Sequence, residues 1–305
     1  MPSTFQHNCT LSLILISFSI LFCCNTNATN SKSETQLNPK EVLTPEYCEG
    51  FKETEDVTMD NIFIETANEL QKQLGNNRIL ILRNKQYELK STLEIENIQN
   101  LKIVGDSDSE LMISMLNSTV VKITKAQNIS IENLLLGHTG QQVYLGEHGM
   151  LRIENSSDIK IVNSKILGKG TFGLITKDVC GLQFENSEIT KCTALIFDLD
   201  ESRNLEFKNS KFRDNILSIS VLGAFTNSTK RVHFTNCEFS NNQPKMQGNP
   251  AFNFDNNFKN IEDQIIFKNC TFKNNKGYAW YGEKIKLVNC TIDSTDFKGL
   301  QIGLD

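Results

Sequence analysis

Residues 181–190 read Gly-Leu-Gln-Phe-Glu-Asn-Ser-Glu-Ile-Thr, and the core of that phrase recurs down the chain. An apolar–any–apolar–any–asparagine run ends at Asn133, Asn163, Asn186, Asn209, Asn236, Asn269 and Asn289. Neighbouring copies are 30, 23, 23, 27, 33 and 20 residues apart. In a strand, alternate side chains point to opposite faces. Leu182 and Phe184 therefore face one way while Gln183 and Glu185 face the other. Ile159 and Ile161, Leu205 and Phe207, Val232 and Phe234, Ile265 and Phe267, and Ile285 and Leu287 repeat the pattern. One such phrase cannot bury its own apolar side, but stacked copies join into a continuous core. Steps near 23 residues suit one coil of a parallel β-solenoid, with three short strands and three corners.

The asparagine marks the corner. Asn tolerates the left-handed backbone region, and its amide can bond to backbone or to the next asparagine along the stack. All seven are read as a structural ladder. The next residue is small (Ser164, Ser187, Ser210, Cys237, Cys270, Cys290), and alternation with Ile166, Ile189, Phe212, Phe239, Phe272 and Ile292 turns it inward. Buried cysteine behaves as a small hydrophobe. With no Cys-x-x-Cys spacing, no metal is expected here.

Outside the repeats, three segments are read. Residues 1–24 hold no Lys, Arg, Asp or Glu, and Leu11 to Cys24 is apolar, a signal-peptide core rather than a membrane span. Cys24 after Leu21-Phe22-Cys23 is read as the lipidated residue of a lipoprotein, with Thr26-Asn27-Ala28 as an alternative cleavage site. The chain is thus expected at the cell envelope or surface as a lipoprotein, or else secreted. Residues 25–58, rich in Asn, Ser, Thr and Pro, are read as a flexible tether. The solenoid is expected over 59–305. It opens with a short capping helix, whose start is marked by Thr66 and Glu69 at capping-box spacing before Leu70 and Leu74.

With 31 basic and 36 acidic residues and no basic block, nucleic acid is not an expected partner. Outside the signal the cysteines, Cys48, Cys180, Cys192, Cys237, Cys270 and Cys290, give no pairing from spacing alone. Sequons at Asn128, Asn269 and Asn289 are accounted for by the repeat.

Residues 60–305 resemble the right-handed parallel β-helix proteins of the pectin-lyase-like superfamily. A narrower likeness, to exported bacterial β-helix proteins largely without assigned function, rests on Gly137, His138, Tyr144, Gly149, Gly168, Gly170, Thr171 and Gly173. Leu145 and Lys169 stand where that pattern has cysteines. The likeness implies a right-handed, all-β helix. Many members of the superfamily are polysaccharide lyases or glycoside hydrolases, but fold does not transfer function. Neither a polygalacturonase-like Asp and His set nor a calcium carboxylate cluster with a catalytic arginine is read in the chain, which lowers the enzyme reading without excluding it. No cofactor is expected, with calcium left open but not indicated by the sequence.

Step lengths place two insertions just beyond the post-asparagine strand, at one corner: His138 to His148, and Asn241 to Pro250. Between them, adding 23 aligns Glu154, Lys177 and Asp200 in one outward stack, and Arg152, Ile175 and Asp198 in another. Asp198 and Asp200, two apart on one face, have Cα atoms roughly 6.5–7 Å apart. That overlaps the low end of the carboxylate separation in inverting glycoside hydrolases. The catalytic candidates are Asp198, Asp200, Lys177 and His138. The ligand-binding candidates are Arg152, Glu154, His148 and Tyr144, the last as a sugar-stacking ring. The leading expectation is a protein that binds a polysaccharide or other extracellular glycan, touching the membrane only through its lipid anchor. The alternatives are a polysaccharide lyase or glycoside hydrolase, with a uronic-acid polymer as one candidate substrate, and a surface adhesin or scaffold with a protein ligand.

Overall fold

The computed structural model describes residues 48, 57–140, 148–169, 172–218, 223–226, 229–244, 252–254, 265–276 and 285–293, all within one compact unit. The architecture is a right-handed parallel β-helix, with one short helix among the described residues. Each coil has three faces. The phrase face carries the asparagine phrase, for example Leu182 to Glu185. The post-asparagine face follows it, as in Glu188–Thr190, and the third face is represented by Phe197–Asp200. Among the described residues, strands pair with the same face of neighbouring coils, in parallel.

The register is the one that the repeat dictates. Leu182 pairs with Ile159 on one side and Leu205 on the other, and Phe184 with Ile161 and Phe207. These inward residues are fully buried. From Phe207 the phrase stack becomes aromatic. Phe207, Phe234 and Phe267 lie face to face at 4.5 and 4.6 Å, with Phe212, Phe239 and Phe272 beside them at 4.8 and 4.9 Å. Offset or edge-on neighbours such as Phe239–Phe267 fill the gaps between the two columns.

All seven phrase asparagines have positive φ, between 49° and 57°. The left-handed region costs an L-residue roughly 1–2 kcal/mol, least for Asn, whose short side chain bonds locally. Here Asn236 Nδ2 donates to Asn209 Oδ1 at 3.1 Å, and Asn269 Nδ2 to Asn236 Oδ1 at 3.2 Å. The inward serines act similarly. Ser187 Oγ accepts from the Ser164 amide at 3.0 Å and donates to the Glu185 carbonyl at 2.7 Å.

The corner after the post-asparagine strand holds a second asparagine column. Asn215, Asn242 and Asn275 are fully buried. Asn215 Nδ2 donates to Asn242 Oδ1, and Asn242 Nδ2 to Asn275 Oδ1, both at 2.8 Å. Asn242 Nδ2 also donates to the Phe212 carbonyl at 2.9 Å, and Asn242 Oδ1 accepts from the Asn215 amide. Spacing alone had singled out only the outer column.

The N-terminal end is closed as the sequence predicts. The helix Ala67–Gln73 is N-capped by Thr66, whose Oγ1 accepts from the Glu69 amide at 3.1 Å, while Glu69 reaches back to the Glu65 amide at 2.9 Å. Leu70 is fully buried, and Leu74 packs against the core. The tether is not wholly free. Cys48, which lies inside it, forms a disulfide with Cys180, Cα to Cα 5.8 Å, and its carbonyl accepts from Asn204 Nδ2 at 3.0 Å.

Removing one amide from the buried column strands its neighbours' donors and acceptors, whereas the outer asparagines are solvated. Asn242→Ala is expected to lower unfolding free energy by about 2–4 kcal/mol, and Asn186→Ala by about 1 kcal/mol. Urea denaturation gives both values; equal losses would contradict this account of the inner column.

Candidate functional site

The aligned outward stacks are real. Glu154, Lys177 and Asp200 are register partners on the third face, as are Arg152, Ile175 and Asp198. They do not form one continuous polar surface. Ile175 is only 5 % exposed, because Phe172, Ala194, Leu195 and Ala224 gather over it as a second apolar cluster outside the solenoid core. That cluster separates Arg152 from Asp198. Glu154 does not pair with Lys177. Its Oε1 accepts from Arg152 Nε at 2.6 Å, and Lys122 Nζ lies 3.7 Å from Oε2. Asp198 and Asp200 are both half-buried and engaged, and Lys177 is exposed.

His138 is not a loop residue. It ends the strand Gln127–His138, and the inward alternation of Leu134 and Leu136 continues through it, so its side chain is fully buried. Nε2 lies 2.9 Å from the Ser118 carbonyl and so carries the proton; Nδ1 has no partner among the described residues. Burial holds its pKa below the usual histidine value. The Ser118 carbonyl opposes that shift, and the charges of Lys169 and His148 add to it. The imidazole is neutral at pH 7 and shut away from any ligand. His148 is half-buried just before the strand Gly149–Val162. Tyr144, Leu145, Gly170, Thr171 and most of the second insertion lie outside the described residues, as does Cys24.

The corner itself carries a feature not expected from the sequence. A cavity of about 380 Å³ opens beside the start of the first insertion, lined by Thr139, Gly140, Lys169, Lys191, Cys192, Thr193, Asp214 and Ile216. This is within the size range of small-molecule sites. Lys169, Lys191 and Asp214 are successive left-handed corners with φ of 41°, 59° and 58°. Gly168 sets the position of the first. A Cβ there would lie 2.5 Å from Cys192 Sγ and 2.7 Å from its Cα, so only glycine lets this corner sit against the next coil. Lys169 Nζ donates to the His138 carbonyl at 2.8 Å, bracing the root of the insertion. Burial in the core pushes the Cys192 thiol well above its usual range, so it stays neutral. Ile216, 56 % exposed, supplies apolar surface at the rim.

Nearby charges are paired. Burial works against the Glu188 carboxylate, but Arg213 at 3.1 and 3.2 Å and Lys165 at 3.2 Å outweigh it, so its pKa lies below the usual range. Among the described residues, no three His, Cys, Asp or Glu side chains are grouped to hold a metal ion.

The family model for the right-handed beta helix region matches residues 148–304, and the chain belongs to that family. No curated protein sequence matches it. Three solved structures are similar over most of their length. A pectin methylesterase from Aspergillus niger has 10 % identity, covering 84 % of this chain and 94 % of that one, TM-score 0.47. A pectate lyase variant from Xanthomonas campestris has 12 % identity, with 82 % and 84 % covered, TM-score 0.48. A surface adhesin of Streptococcus pneumoniae has 10 % identity, with 77 % and 68 % covered, TM-score 0.46.

A histidine whose folded pKa is depressed refuses a proton that the unfolded chain accepts. Its contribution is fully present above about pH 6.5 and lost as pH falls from there towards the folded pKa. Between pH 7.5 and 5.5, unfolding free energy should drop by up to about 1.4 kcal/mol through His138. In His138→Gln this part of the slope should vanish. Denaturation curves at the two pH values test it, and an unchanged slope in the variant would show that His138 is not the group responsible.

Proposed function

We propose that this chain is an exported β-helix protein that binds a glycan at the corner between its post-asparagine and third faces. The observation that carries the reading is the cavity at that corner, with hydroxyl, cationic and apolar walls, at the root of an insertion. Sugar recognition uses this mixture: hydroxyls and charges for the ring substituents, apolar surface for the C–H face. The corner also presents short extra strands, Ile216–Leu217 paired with Gln243–Pro244, beyond the regular coil. Loops and additions at one corner are where solenoids commonly carry function.

The Cys48–Cys180 disulfide supports export, because such bonds persist in oxidising compartments. Lipidation at Cys24 belongs to the same proposal, with residues 25–47 as the length left between anchor and disulfide.

Binding is preferred to catalysis on the state of the candidate groups. His138 is sealed in the core, and the carboxylates of Asp198 and Asp200 are half-buried and already engaged, so none of the three is presented as a free acid or base to a polymer. Mass spectrometry and binding measurements on one panel of acidic and neutral polysaccharides test this. Expected is saturable binding with every polymer mass unchanged. Cleavage products would replace the reading with a lyase or hydrolase, and a blank panel with protein capture would replace it with a scaffold.

A further inference from the structure

We infer that the corner cavity recognises an anionic group on its glycan, with Lys169 and Lys191 as the residues that select it. This rests on the glycan-binding reading above and names the ligand class for the same cavity.

The argument begins with charge accounting on this surface. Lys102 is bridged to Glu132 at 2.8 Å, Lys122 lies near Glu154, and Lys165 and Arg213 share Glu188. Other lysines, the exposed Lys177 among them, also have no ion pair among the described residues, but Lys169 and Lys191 are brought together. Neither is in an ion pair among the described residues, both line one cavity, and they stand at the left-handed corners of successive coils. Adjacent coils are about 4.8 Å apart, so two like charges share a short stretch of surface. The next rung offers a carboxylate, Asp214, but that group is already used. Arg213 Nη1 lies 3.8 Å from its Oδ2, and Asn241 Nδ2 donates to its Oδ1 at 3.0 Å.

Geometry adds direction to the charge. Lys169 is half-buried and anchored through one of its three ammonium protons to the His138 carbonyl, leaving two donors. Lys191 is exposed, at the far side of Gly168 and Cys192. Both line the cavity together with Thr139 and Thr193, whose hydroxyls can donate to the same oxygens. A ligand anion between the two ammonium groups would relieve their mutual repulsion and gain charge-assisted hydrogen bonds. Ile216 across the mouth gives the ring apolar contact. A sugar bearing a carboxylate or a phosphate meets these requirements, and a neutral sugar leaves two cations uncompensated.

The test uses the full chain and three matched oligosaccharide sets: carboxylated, phosphorylated, and neutral of the same backbone. Binding is measured by calorimetry at low and high salt. The expected result is binding to one or both anionic sets at least about tenfold tighter than to the neutral set, weakening as salt rises. Which anionic set binds identifies the group. Lys191→Gln, at an exposed position, should lose about tenfold for the anionic sugar and much less for the neutral one, so that the preference between the two sets shrinks. Lys169→Gln should do the same, with its melting temperature recorded because it also braces the insertion. Equal affinity for neutral and anionic sets, or a Lys191→Gln variant that binds like the parent, would overturn the inference while leaving glycan binding intact. No binding to any set would overturn the glycan reading and this inference together.

Discussion

Everything in this molecule depends on one constraint: each coil must return to the same register after three strands, so the backbone must turn sharply at fixed places. The turns are left-handed residues repeated coil after coil. Asn163, Asn186, Asn209, Asn236, Asn269 and Asn289 form one such column, and Lys191, Asp214, Asn241 and Asn274 form another, which the left-handed Lys169 joins one residue past Gly168, the register partner of Lys191. A left-handed corner is unfavourable for an L-residue with a Cβ, and a side-chain amide that bonds up and down the column offsets it. Where asparagine lines up, the column closes on itself, as in Asn236 to Asn209 and Asn274 to Asn241. Where it does not, a functional side chain can take its place.

That distinction links the fold to the site. In the corner column past the post-asparagine strand, the later coils carry asparagine outside, with the buried Asn215–Asn242–Asn275 amides beneath. In the earlier coils the corresponding corners carry Lys169 and Lys191, and Gly168 lets the chain press against Cys192. The cavity lies there, beside the first insertion. The scaffold thus has a stretch of corner closed by its own amides and a stretch where two lysines line a cavity.

The fold was legible because it is periodic. Leu182 and Phe184 declare a strand, Asn186 its end, and the 23-residue spacing its partner, so even the register of Lys177 with Glu154 and Asp200 followed by addition. The site was less legible, since contacts across a corner leave no period. Continuing the alternation of Leu134 and Leu136 by one step would have buried His138, but a histidine beside an insertion suggests chemistry first. Ile175 between Arg152 and Asp198 was a visible sign that the outward face is not uniformly polar; that Phe172 and Leu195 fold over it was not. The pairing of Cys48 with Cys180, across 132 residues, has no local signal. Lys169 drew notice only as a departure from the resembled cysteine pattern, and Lys191 not at all, because Lys is an ordinary surface residue until the fold sets it beside a cavity.

The central claim is that ligand engages the corner and not the third face. Hydrogen–deuterium exchange of the full chain, with and without a bound oligosaccharide, reads this by position. The account predicts slowed exchange in peptides covering 139–140, 168–169, 191–193 and 214–216. Protection confined to the third-face strands, 172–177 and 197–200, with the corner unchanged, would contradict it.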